Sequence, residues 1–591
     1  MRLHTTHTTA RALARLGFVF FVAQTAVHAQ LQPVPAQDVA PEPSSGYTEK
    51  KAVTAKKFMI ATANPHATRA GQEMLKAGGS SVDAAIAAAV MLNLTEPQSS
   101  GIGGGAFIVS YDAAHKGLNA YDGREKAPAS AKGDRFLDAK GKPLPLREAI
   151  NSGKSVGVPG LLRVMELAHQ KHGKLPWAKL FEPTIRLAEN GFAVSERLHH
   201  VIKLDKTLRA NANARAYFYD AAGEPLAVGA TLKNPAFAAV LRRVAKEGPD
   251  AFYKGEIARD ISAAVNGQAQ PGDMTLQDIA GYQARERTVL CGAYRAYKVC
   301  GMPPPSSGGI AVLAMLGALE RFPLAGVRPN STEAVHLFSE AGRLAYADRD
   351  YYVGDPDFVN VPATALVSPE YLKTRSALIR TDASMKRASP GVPAGVKMAW
   401  APDEDSEIPA TSHISVIDPA GNAVSMTTTI EAVFGSHIMV HGFLLNNQMT
   451  DFALAPEENG LPVANRIEGG KRPRSTMSPT LVFDADGKLK MTVGSPGGSA
   501  IINYVAKTLV GVLDWGLDVQ QAISLPNMGS RNRATEVELG SELEKLAGPL
   551  KALGHEMQAI EFTSGLQGIV VTPQGLVGGA DPRREGFVLG E

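Results

Sequence analysis

The sequence predicts a globular protein of the α+β class, and three observations lead there. Ser80-x-x-Asp83, the pattern of a capping box, opens the apolar run AAIAAAVMLNL, which reads as a buried helix ended by Pro97. Helical patterning dominates from about residue 145 to 290, and residues 303–309 (PPPSSGG) lead into a further apolar helix. From Thr411 to about residue 500 the chain turns strand-rich, in ISVID, AVSMTTT, TLVFD and LKMTVGS, before a helix over residues 502–513.

In chain order, a first helix covers residues 71–77 and stops at Gly78-Gly79. The run SGIGGG over residues 100–105 precedes the strand AFIVSYD. Helix, glycines, strand is the reverse of a dinucleotide site, and no GK[ST] follows, so the glycines predict close backbone packing. Residues 153–157 (GKSVG) match the G-x-S-x-G elbow, but LREAINS before and Pro159-Gly160 after deny Ser155 the required strand and helix. Residues 348–357 (DRDYYVGDPD) read as a polar loop; the Gly and final Glu of a calcium loop are misplaced. Residues 385–410, rich in Pro, Ala, Asp and Glu, predict an exposed linker.

Of the 591 residues, 44% are hydrophobic and 20% charged, and the net charge is only +3, which gives no basic face for nucleic acid. Arg2, Arg11 and Arg15 precede an apolar run over residues 16–22, and Val27-His28-Ala29 offers a small-residue cleavage point. This predicts a signal peptide over residues 1–29 and export to a periplasm or the medium. Residues 30–54 are expected as a mobile leader. No later stretch reaches the roughly 20 apolar residues of a membrane span. The two cysteines, Cys291 and Cys300, flank an Arg295-Ala296 turn and fall opposite one another at a non-hydrogen-bonded rung. That placement allows a cross-strand disulfide or, equally, two free buried thiols.

Thr411 opens the strand-rich region. A hairpin centred on Ala420, in the turn DPAGN, pairs Thr411 with Thr429, and period-two alternation then puts Glu431 on the same face. Threonines are common in strands, and taken alone the pattern favours a plain hairpin. TSHISVID, TTTIEAVFG, LLNNQMTDF, KRPRSTMSPT and TVGSPGGS, in this order, resemble the small subunit of gamma-glutamyltranspeptidases. The likeness extends upstream through GIGGGAFIVSYD, DGREKAPA, GVPGLL, MPPPSSGG and YADRDYYVGDP.

The resemblance implies an N-terminal nucleophile hydrolase fold, a four-layer α-β-β-α sandwich built from both products of one cut. The cut falls between Ala410 and Thr411, leaving a large subunit over residues 55–410 and a small one over residues 411–591, associated as a heterodimer. Thr411 is then the nucleophile, its freed α-amine the base, and Thr429 its hydrogen-bonding partner. Gly497 and Gly498 offer backbone N–H groups to the oxyanion. By the same likeness Arg124, Ser475 and Thr476 bind the substrate carboxylate, and Glu431, Gln448 and Asp451 bind its ammonium. Glu431 stands where some members have Asn, and Thr476 where Ser is usual; both keep the hydrogen-bonding role. The stretch between Asp451 and Arg474 is shorter than in members with a long lid, so a more open site is expected.

The expected donors are glutathione and other gamma-glutamyl compounds, with water, amino acids or peptides as acceptors. His413, His437 and His441 lack any metal-ligand spacing and read as structural; no metal or cofactor is expected. Two alternatives stand beside this reading, a glutaryl or cephalosporin acylase of the same fold and an inactive gamma-glutamyl-binding protein.

Overall fold

The computed structural model describes residues 44–403 and 410–591. The expected signal peptide and the first part of the leader lie outside the described residues, as do residues 404–409 of the linker.

Two seven-stranded sheets stack face to face. One runs, in spatial order, Phe587–Gly590, Met59–Thr62, Ser412–Ile417, Ala423–Thr429, Gly105–Asp112, Gly117–Gly123 and Arg285–Arg287. The other runs Val53–Ala55, Gly575–Ala580, Gln567–Thr572, Leu489–Gly494, Thr480–Phe483, Tyr297–Gly301 and Leu290–Tyr294. Every neighbouring pair in both sheets is antiparallel. Each sheet mixes strands from before and after Thr411, so the two halves of the chain share one fold.

Helices cover both outer faces. Pro65–Lys76 and Ser81–Thr95 lie on the first sheet, and Gly308–Leu319 and Ile501–Leu513 on the second. Ser81–Thr95 is buried along its whole length, and its Ser80–Asp83 capping box is formed in both directions. The result is the expected α-β-β-α layering. The glycine run ends where backbones nearly touch: a Cβ on Gly103 would meet the Leu444 carbonyl oxygen at 2.0 Å, and one on Gly104 the Thr429 carbonyl oxygen at 2.1 Å.

The Tyr294–Tyr297 hairpin has the expected two-residue turn, with Arg295 at φ +52°, and Cys291 is paired with Cys300 in register. Their Cα atoms are 4.1 Å apart and the sulfurs are bonded, which decides between the two readings of these cysteines.

Three expectations need correction. The leader does not run to residue 54, because Ser45 and Thr48 donate to the Arg583 and Pro582 carbonyls and Val53–Ala55 joins a sheet. Residues 348–352 are not loop but the last turn and a half of the helix Thr332–Tyr352, where Asp348 is buried against Arg375. The linker is not wholly exposed: Ala401 donates to Pro462, and Asp403 binds Arg474. Ser155 sits in a short 3-10 turn, its hydroxyl on the Ile150 and Ser152 carbonyls, and forms no nucleophile elbow.

Candidate active site

The hairpin of Ser412–Ile417 and Ala423–Thr429 aligns Ser412 with Thr428, so the next rung sets Thr411 against Thr429, as the count from Ala420 predicts. Asp418 builds the turn, its carboxylate accepting from the N–H groups of Ala420 at 2.9 Å and Asn422 at 3.1 Å. Both threonines are buried. The Thr411 hydroxyl lies 2.7 Å from the Ala410 carbonyl oxygen and 3.2 Å from the Thr429 hydroxyl. Thr429 donates to that same carbonyl oxygen at 2.9 Å. On the other side of the nucleophile candidate, Arg584 donates to the Thr411 carbonyl at 3.4 Å while anchored on the Thr563 carbonyl at 2.8 Å.

Glu431 does not continue the strand. The strand ends at Thr429, and Glu431 takes φ +79°, an uncommon conformation for a residue with a side chain. Period two therefore fails within two residues of the strand's end. Glu431 still reaches the site by another route: its N–H donates to the Thr429 hydroxyl at 2.8 Å, and its carboxylate accepts from Asn447. Gln448 is fully buried in the short 3-10 helix Gln448–Asp451. With its amide oriented to satisfy its neighbours, it donates to Glu125 at 3.3 Å and accepts from the Glu431 N–H at 2.8 Å. Its contacts are thus to protein groups that frame the site.

Arg124 and Asp451, expected to hold opposite ends of one substrate, are bonded to each other. Arg124 is 1% exposed and Asp451 5%. The Arg124 guanidinium also donates to the Arg474 carbonyl at 2.8 Å and the Pro473 carbonyl at 3.3 Å. Glu125 lies 3.6 Å away; burial pushes its carboxyl up to about 7, against the pull of Arg124. Ser475 and Thr476 follow directly on the carbonyls that hold Arg124. The Ser475 hydroxyl accepts from the Met477 N–H at 3.2 Å, and the Thr476 hydroxyl donates to the Gly498 carbonyl at 2.8 Å. Thr476 so ties the arginine side of the site to the glycine turn.

That turn is strained in the way two glycines permit. Gly497 has φ +136° and Gly498 φ +54°, and a Cβ on Gly497 would sit 2.3 Å from the Tyr504 ring. The chain then enters the 3-10 turn Gly498–Ala500 and the helix Ile501–Leu513.

The three histidines lie elsewhere. His413 is buried between Thr427 and Ser415, and His437 and His441 bind Asp205 and Asp260. Among the described residues one group has metal-ligand proximity, His336, Glu340 and His555. Its atoms already bond one another, Thr535, Arg380, Ser384, Met385 and Arg343. Sequence reasoning missed Glu125, although it adjoins Arg124, and missed Arg584, which lies 173 residues from Thr411. Chemically, the arrangement offers a buried hydroxyl against a carbonyl, a second hydroxyl on that carbonyl, and a charge pair of both signs.

The chain is similar to known proteins over most of its length. The family model for Gamma-glutamyltranspeptidase matches residues 67–591. The Glutathione hydrolase proenzyme of Bacillus subtilis (strain 168) is 38% identical over 570 residues, covering 94% of this chain and 95% of that one. The Acylase ACY 1 proenzyme of Pseudomonas sp. (strain V22) is 33% identical over 544 residues, 90% of this chain and 93% of that one. Among solved structures, cephalosporin acylase from Bacillus halodurans superposes with a TM-score of 0.80 at 27% identity, covering 93% of this chain and 99% of that one. Matched over nearly its whole length by the family model and by these relatives, the chain belongs to the gamma-glutamyltranspeptidase family of hydrolases and transferases.

Proposed function

We propose that the chain cuts itself between Ala410 and Thr411 and then hydrolyses or transfers gamma-glutamyl groups, with glutathione as the expected donor. The observation that carries the first step is the Thr411 hydroxyl at 2.7 Å from the Ala410 carbonyl oxygen, with Thr429 donating to that oxygen. Thr429 polarises the carbonyl; the Thr411 oxygen attacks its carbon, the hydroxyl proton passes to the Thr411 nitrogen, and the C–N bond breaks to leave an ester and a free α-amine. Water opens the ester, giving an Ala410 carboxylate and a new Thr411 N-terminus. The amine titrates near pH ~7.7–8.0 and so supplies a base at neutral pH.

In the second reaction the amine takes the Thr411 hydroxyl proton as the oxygen adds to the gamma-carbonyl. The oxyanion faces the Gly497 and Gly498 N–H groups. The departing amine leaves with the proton, and water or an amino acid then takes the acyl group from Thr411. Arg124, with Ser475 and Thr476, binds the substrate carboxylate; Asp451, with Glu431, binds its ammonium, and Gln448 holds Glu431 in place.

The acylase likenesses make glutaryl substrates the second reading. A glutaryl group brings a carboxylate to Arg124 but no positive charge to Asp451 in exchange for the Arg124 pairing it disturbs. Gamma-glutamyl and glutaryl p-nitroanilides test this directly. A kcat/KM at least about 10² higher for the glutamyl compound is expected, since a site built for a polar group rejects the analogue lacking it. Equal or inverted values reject the glutamyl assignment. We also propose export to the periplasm or the medium, supported by the N-terminal pattern and the Cys291–Cys300 disulfide.

A further inference from the structure

The turn of Gly497 and Gly498 is held from behind by Arg531 and Glu536, outside the family-like motifs, and by Tyr346, the first residue of YADRDYYVGDP. Arg531 donates from Nη1 to the Ser499 hydroxyl at 2.7 Å. Its Nε and Nη2 grip both carboxylate oxygens of Glu536, Nε to Oε2 at 3.0 Å, and Glu536 is buried. A bidentate grip fixes the plane of the guanidinium, so the remaining nitrogen is aimed rather than loose. From the other half of the chain, the Tyr346 hydroxyl donates to the Ser499 carbonyl. In front, Thr476 holds the Gly498 carbonyl at 2.8 Å, and the Tyr504 ring fills the space a Gly497 Cβ would need.

Two residues at positive φ have few restraints of their own. Donors for an oxyanion work only where they are already aimed when charge develops, and a misplacement of about 1 Å costs about 10²-fold. Ser499, immediately after the two glycines, is the residue that converts a fixed Arg531 into a fixed turn. We propose that Arg531, held by Glu536 and acting through Ser499, is a positioning residue that sets the aim of the Gly497 and Gly498 N–H groups. This rests on Thr411 as the nucleophile, as proposed above, and not on which acyl group is bound.

The test uses fully cleaved, purified protein: wild type, Ser499→Ala, Arg531→Met, Arg531→Lys and the Ser499→Ala/Arg531→Met double variant. Each is assayed on both the gamma-glutamyl and the glutaryl anilide. Ser499→Ala deletes only a hydroxyl, so it keeps the experiment informative if Arg531→Met, which strands Glu536, folds poorly. For the substrate that wild type uses, kcat should fall about tenfold in Ser499→Ala with KM within about twofold. Arg531→Met should do the same, Arg531→Lys should retain more kcat, and the double variant should be no slower than Arg531→Met. Unchanged kcat, a rise in KM alone, or losses that multiply in the double variant would overturn the proposal. A wild type acting on the glutaryl compound instead would refute only the donor assignment, whereas inactivity on both would remove the nucleophile and this proposal together.

Discussion

Arg124 and Asp451 are joined in a buried ion pair, although each is the natural partner of a different end of a glutamyl group. A substrate carrying carboxylate and ammonium can replace each half of that pair with a charge of the right sign. A substrate with one charge replaces only half, and breaking a buried pair from one side costs about 3–5 kcal/mol.

Asp451→Asn should therefore act on binding. KM for gamma-glutamyl anilide should rise at least about 10²-fold, with a smaller change in kcat, and the preference over the glutaryl compound should shrink. Initial-rate kinetics on the cleaved variant check this.

Gly104 lies outside the site, yet its substitution should reach Thr429. A Cβ there would stand 2.1 Å from the Thr429 carbonyl oxygen and 2.8 Å from the Ile430 side chain, so the strand end carrying Thr429 must shift. In Gly104→Ala the appearance of cut chains, followed on denaturing gels, should slow at least about tenfold.

Acid should destabilise the fold through two buried imidazoles. Burial holds His413 at about 3, and burial together with His336 and Arg343 holds His555 at about 3. The unfolded chain protonates such groups near pH ~6.5, so their stabilisation is present above that value. It is lost as pH falls from about 6.5 toward 3, by up to about 1.4 kcal/mol per pH unit for each imidazole kept neutral. Thermal unfolding between pH 7 and 5 should show this fall, and His413→Gln should reduce its slope.

Removing the Cys291–Cys300 bond should cost stability and spare chemistry. The bond spans nine residues of sequence and sits at the edge of the second sheet. Loop closure of that length is worth about 2–3 kcal/mol. Cys291→Ser/Cys300→Ser should unfold at lower temperature, with kcat at 25 °C close to wild type.

What the sequence made legible follows the range of the interactions. The hairpin register needed only a turn and a count, and Thr411 and Thr429 met where counting put them. The Ser80–Asp83 capping box and the glycine run are local signals too, and both read correctly. Glu431 did not follow, because the chain leaves the strand at Thr429 and no periodicity reports a single positive φ. The Arg124–Asp451 bond joins residues 327 apart, and Arg531 reaches Ser499 over 32. The family motifs supplied Arg124 and Asp451 as separate binding groups, but only the fold shows them facing each other.

Intact mass and N-terminal sequencing of purified wild type beside Thr411→Ala test self-cleavage most directly. Two wild-type chains are expected, the smaller beginning Thr-Ser-His, with Thr411→Ala remaining as one uncut chain. A wild type that stays uncut on prolonged incubation, or a Thr411→Ala chain cut at the same bond, would contradict Thr411 as the nucleophile.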